Sequence, residues 1–194
     1  MTKLEAINAV LRRIGLTPVA ALDTAGNSAT SQAERFLDDA DIEFQSRGWH
    51  FNTKVDVAIS VDGNGKIPIP AGTIYRIDSS GGSSDMDVRS EGGFLYDIAN
   101  NTDIFTGAVT VTYSKRAAWT DLPQTFANHA ISVASLNFNR AHRRDENMEK
   151  VLREEVARRW VDAKREENET DNANILNTPE MNQIRGRPKN NGSY

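Results

Sequence analysis

The chain changes its hydrophobic period twice. Over residues 2–14, Leu4, Ile7, Leu11 and Ile14 recur at three- and four-residue steps, which places them on one face of a short helix. Thr2 and Glu5 fit a capping box at its start, each satisfying an N–H that the first turn leaves without a partner. Gly15 and Thr17-Pro18 end it. After turn-rich residues 23–27, Asn27 or Ser28 caps a second helix that runs to about Arg47. Ala29, Ala33, Phe36, Leu37, Ala40 and Phe44 form its apolar stripe, and Asp38, Asp39, Asp41 and Glu43 line the other side.

From Thr53 the period is two. Val55, Val57, Ile59 and Val61 alternate with polar residues, as in a half-buried strand. Asp62-Gly63-Asn64-Gly65 is a turn, and the two prolines of Ile67-Pro68-Ile69-Pro70 restrict that segment to a sheet edge or a connector. Short strands follow at 73–78, 86–89 and 94–96, with a glycine-serine loop at 79–84. Residues 108–114, where Val109, Val111 and Tyr113 alternate, read as a further strand.

Helical spacing returns at Asp121-Leu122-Pro123-Gln124, with Asp121 as the N-cap. Phe126, Ala130, Val133, Ala134, Phe138 and Ala141 form a stripe that reaches about His142. A break near Arg144-Asp145 opens a fourth helix to about Glu169, with Met148, Val151, Leu152, Val156, Trp160 and Ala163 as its apolar positions. Glu149–Arg153, Glu154–Arg158 and Glu155–Arg159 lace it at i,i+4 spacing, each pair contributing ~0.2–0.5 kcal/mol. From residue 170 the sequence is rich in Asn and too polar to fold alone. Ile175, Leu176, Met181 and Ile184 give it hydrophobic handles, and Arg185, Arg187 and Lys189 a basic cluster before Tyr194.

This order predicts an α+β fold. The N- and C-terminal helix pairs, residues 1–48 and 121–169, close into one four-helix bundle. An antiparallel β lobe, residues 49–120, is inserted between them, and residues 170–194 form an extended C-terminal arm.

Composition sharpens the picture in two places. Of the 194 residues 38% are hydrophobic, against roughly 45–50% for an ordinary globular domain on a similar residue set. That shortfall suits long exposed loops and a tail or, more sharply, a subunit that completes its burial in an assembly. The net charge of −4 argues against a dedicated DNA binder, and the lack of cysteine excludes a disulfide scaffold or thiolate metal site. No apolar run approaches the ~20 residues of a membrane span, and the N-terminus lacks a signal-peptide layout. The chain reads as soluble and made in the cytoplasm.

Little in the sequence points to catalysis. Gly63-Asn64-Gly65-Lys66 lacks the spacing of a phosphate loop, and His50, His129 and His142 stand in no metal-binding pattern. No Gly-x-Ser-x-Gly elbow is present. The reading is therefore a protein that is not an enzyme and carries no cofactor or metal. Two alternatives remain open: a glycan hydrolase built on paired carboxylates, and a DNA-binding module acting through the basic C-terminal cluster.

The octapeptide Gln45-Ser46-Arg47-Gly48-Trp49-His50-Phe51-Asn52 marks the change from helix to sheet. Gly48 suits a left-handed helix C-cap, and Trp49 and Phe51 anchor the chain as it turns. Arg47 either caps helix-end carbonyls or makes an ion pair between subunits. This octapeptide resembles the helix-to-sheet junction of the tail tubular protein A family, the head-to-tail adaptors of short-tailed phages. Residues 8–19, where a helix closes in Ile14-Gly15 before Pro18-Val19, resemble the same family.

The resemblance implies a virion protein of the tail that assembles as a ring of about twelve copies beneath the portal protein. Its helical lobes would surround a channel through which DNA passes without specific binding. Its β lobes would face a nozzle protein of the tail tubular protein B type and the tail fibres. The arm, through Ile175, Leu176, Met181, Ile184, Arg185, Arg187, Lys189 and Tyr194, would reach the portal or a neighbouring subunit. The charge-laced fourth helix, through Arg153, Glu154, Arg158 and Arg159, suits a polar lateral interface.

Overall fold

The computed structural model describes residues 1–22, 28–83 and 86–176, the last six as helical backbone. The chain is mixed helix and antiparallel sheet, in the order α1 (Lys3–Arg13), α2 (Ala29–Gln45), β1 (Thr53–Ile59), β2 (Thr73–Ser79), β3 (Val88–Glu91), β4 (Phe94–Asp97), β5 (Val109–Lys115), α3 (Gln124–Phe138) and α4 (Glu146–Leu176). The turn at 23–27 and the arm residues Met181, Ile184, Arg185, Arg187, Lys189 and Tyr194 lie outside the described residues.

Helices from both ends of the chain share one core. The central helix is α3, which is apolar or small on nearly every side and packs against α1, α2 and α4. Ile7 and Leu11 of α1, Ile14 at its C-cap, Leu37 of α2, and Ile131 and Phe138 of α3 meet there. Ser132 and Ser135 are fully buried on α3, and their hydroxyls donate to the carbonyls of Asn128 and Ile131 one turn back. The capping box at Thr2 and Glu5 forms as the sequence predicts, and Ser28 caps α2.

Two helix ends differ from the sequence reading. Asp121 does not cap α3; Pro123 does, with no side-chain bond. A residue that precedes proline is driven out of the helical region, so Leu122 cannot continue a helix begun at Asp121. The far end of α3 loosens into a π-helical turn, Asn139–Arg143, and Arg144 reverses the chain at φ +54°. Asp145 then accepts bonds from the N–H groups of Asn147 and Met148, capping α4. The helix α4 runs beyond Glu169 to Leu176.

The β lobe has its own core of Ile67, Ile77, Leu95, Phe105, Val109 and Val111. β5 lies between β1 and β2, antiparallel to both, while β3 and β4 form a separate hairpin. The proline-bearing segment lies at the edge of that hairpin, where Leu95 donates to the Ile67 carbonyl and Ile69 to that of Gly93. The regular alternation expected of β1 breaks at a bulge. Asp56 takes φ +52°, the register slips between Lys54 and Val57, and Val55 is left 66% exposed.

Candidate functional site

The octapeptide at the end of α2 is where both lobes are tied together. Gly48 adopts φ +73°, and a Cβ there would stand 3.0 Å from the Ser114 hydroxyl of β5. The close approach of α2 to the sheet and the left-handed backbone thus both require glycine. Trp49 follows, 4% exposed, with Nε1 donating to the Phe44 carbonyl at 2.7 Å. Its ring lies 4.7 Å from Phe44, 5.0 Å from Phe126 and 5.7 Å from Trp160, so it touches α2, α3 and α4 at once. Phe51 packs on Phe126 from the other side at 4.7 Å.

The two amides of the octapeptide are as buried as its tryptophan. Gln45 is wholly buried: its Nε2 donates to Asp41 and to the Ala117 carbonyl, and its Oε1 accepts from the Ala117 N–H at 2.7 Å. Asn52 accepts from the Trp49 N–H and donates to the Gln45 carbonyl, both at 2.8 Å. Its own carbonyl accepts from Lys115 at 2.8 Å. One glutamine and one asparagine therefore bind the strand leaving α2 to the strand returning from the sheet. Such satisfied buried amides fix one geometry, since any other leaves an amide unpaired.

Charged pairs extend the tie in two directions. Arg116 meets Asp41 at 2.8 Å and Asp38 at 3.0 Å, and Lys3 of α1 meets Asp38 at 2.8 Å and Glu34 at 2.7 Å. Asp41, assigned by periodicity to the solvent face of α2, is buried instead because Gln45 and Arg116 complete its bonds. Burial pushes its carboxyl above the ordinary aspartate range, against the pull of Gln45 and Arg116. On the other side, His50 binds the Glu167 carboxylate through its N–H and its ring Nδ1, and Thr125 binds Glu166. These contacts fasten the distal part of α4 to the junction and to the start of α3.

Among the described residues Arg47 caps no carbonyl; its guanidinium stands 4.9 Å over the Trp160 ring. Arg153, Glu154, Arg158 and Arg159, the α4 residues expected at the lateral interface, separate into two groups. Arg159 packs inward beside Glu155, which is held by Arg13 of α1 at 2.8 Å, and Arg153 binds Glu149 at 2.6 Å. Glu154 and Arg158 are exposed, with no side-chain partner among the described residues. Ile175 and Leu176 occupy the last turn of α4.

His129 of α3 lies beneath Phe44 and Trp160, 6% exposed. Burial, reinforced by the Arg47 charge, brings its pKa down to about 4, against a bond to the Val156 backbone. In the unfolded chain the ring takes its proton near pH 6.5, and in the folded chain only near 4. Its stabilising share is whole above 6.5 and is lost as pH falls toward 4. Urea titration should show a loss of about 1.5 kcal/mol between pH 6.5 and 5 from this group. His129→Gln should flatten the profile by that amount; an unchanged slope would dismiss the assignment.

Sequence reasoning found the octapeptide through its glycine and aromatics and missed Gln45, Asn52 and the Arg116–Asp41 pair. The signal was an amide at each end of the motif, beside residues that had to be buried. Among the described residues no group of three His, Asp or Glu side chains is placed to hold a metal ion, and no helix is long and apolar enough to cross a membrane. No curated protein matches the chain. A family model described as tail tubular protein matches residues 4–173, from the first turn of α1 through both lobes into the last turns of α4. The chain thus belongs to the tail tubular protein family of phages and is a structural protein of the virion tail.

Proposed function

We propose that this protein is a head-to-tail adaptor: a ring of about twelve copies that joins the portal to the tail nozzle and forms part of the DNA ejection channel. The family match over residues 4–173 supports this reading, because it spans both lobes and the junction that sets their angle. The helical lobes would stand side by side, with α4 at the lateral contact, and the β lobes would face the nozzle and fibres. The acidic balance of the chain suits a passage for DNA. Like-signed walls repel phosphate only over the ~8–10 Å screening length, and they hold no strand back.

The arm beyond α4 is the proposed portal contact. Because α4 runs to Leu176, deletion of residues 177–194 leaves every described element whole. The shortened protein should keep its circular dichroism spectrum and thermal midpoint but no longer bind purified portal rings in electron micrographs. Full decoration of portals by the shortened protein would move the contact elsewhere. Rings of the intact protein, alone or on portals, are the expected image.

A further inference from the structure

α2 and α4 do not close on each other above α3. Between them runs an open groove of about 360 Å³, floored by His129 and Val133 and walled by Ala40, Phe44, Val156 and Trp160. Glu43, Arg47 and Arg153 stand on its rim. Glu43 is 73% exposed, and its carboxylate comes no nearer than 4.0 Å to Arg47.

A second unsatisfied surface lies on the other side of α4. Val151 is 65% exposed and Val161 56% exposed. At 100° per residue, Val151, Glu154, Arg158 and Val161 fall within an arc of about 80°, and this arc is centred about 130° from the groove wall. Two valines about 15 Å apart thus bracket one free acid and one free base on a single helical edge. The groove offers an apolar trough with a loosely held acid and two bases on its rim. Edge and groove are complementary rather than alike, and they point in different directions. A chain with such a pair of faces associates head to tail, which is the arrangement that closes rings.

We propose that the α2–α4 groove of one copy receives the Val151–Val161 edge of α4 from the next copy, with Arg158 meeting Glu43 and Glu154 meeting Arg47 or Arg153. The proposal rests on the ring reading above and specifies its lateral contact. It also gives Glu154 and Arg158 the partners that none of the described residues supplies.

The chain has no cysteine, so two can be introduced without background. Glu43→Cys together with Arg158→Cys, treated with a short bis-maleimide, should give a ladder of covalent dimers, trimers and higher multimers. Each single variant should give none. Dimers from Arg158→Cys alone would mean that α4 edges meet each other, which overturns the proposal. Absence of a ladder while the unaltered protein multimerises under amine cross-linking would overturn the groove and leave the ring standing. An unaltered protein that stays single under amine cross-linking, alone and on portals, would remove the ring and the groove together. Val151→Asp with Val161→Asp, two exposed sites where folding is untouched, should lower the multimer fraction at least tenfold; an unchanged fraction would also count against the edge.

Discussion

Replacing Trp49 with alanine should lower the unfolding free energy by about 3–5 kcal/mol, the range for truncating a buried tryptophan. The size follows from what the ring touches. It is 4% exposed, and it fills the space where Phe44 of α2, Phe126 of α3 and Trp160 of α4 converge. Truncation opens a cavity among aromatic rings that are already fixed by their neighbours, so little collapse can offset it. It also removes the donor to the Phe44 carbonyl at the end of α2. Trp49→Phe separates the two effects: it keeps most of the packing and loses the N–H, for a cost of about 1–2 kcal/mol. Since proteins of this size are stable by only about 5–15 kcal/mol, the alanine variant should lose a large share of its stability margin. Equilibrium urea denaturation followed by circular dichroism measures both. A loss under about 1 kcal/mol for Trp49→Ala would show that the junction repacks freely.

Arg116→Ala should cost about 3 kcal/mol, and the loss should depend on pH. Arg116 is a third exposed, but Asp41 beneath it is 2% exposed. Removing the guanidinium leaves that carboxylate with Gln45 as its one remaining side-chain partner. Burial already holds the Asp41 carboxyl above its ordinary range, and loss of Arg116 raises it further. The sign is that of an acid whose folded pKa is raised: the penalty is complete above the folded value and vanishes as pH falls below the unfolded one. The deficit of Arg116→Ala should therefore be largest near neutrality, shrink as pH falls through the raised folded value, and be largely gone by about pH 4. Asp41→Asn in the Arg116→Ala background should recover part of the loss at pH 7. A deficit that is flat with pH and untouched by Asp41→Asn would place the effect of Arg116 elsewhere.

Local periodicity made most of this fold legible, and the exceptions have physical causes. The stripes of α1, α3 and α4 appear because each helix turns one face to a shared core, so Leu11, Phe126, Leu152 and Ala163 are buried where their spacing places them. The same rule fails at Val55, because a bulge at Asp56 rotates the strand, and no spacing encodes a bulge. It fails at Ala29, the first residue of α2, which is exposed. It fails at Asp41 because a charged residue reads as solvent-facing until its partner is known. That partner, Arg116, is 75 residues away. The candidate site divides in the same way. Gly48 and Trp49 were visible as residue types with one good explanation each. Gln45 and Asn52 were not, because an amide carries no sign of whether water or backbone satisfies it. The groove could not be read at all, being the space that α2 and α4 leave between them.

The chain enters the sheet at residues 48–53 and leaves it at 115–117, and the two passages run side by side, joined by Asn52, Gln45 and their backbone partners. A body hung on its support at one edge behaves as a lever. Torque applied at the far rim of the sheet, around the Asp62 turn and Ile104, must arrive at the last turn of α2 and, through His50 and Glu167, at the distal part of α4. Of the contacts such a load would cross, Trp49 is the one that meets α2, α3 and α4 together.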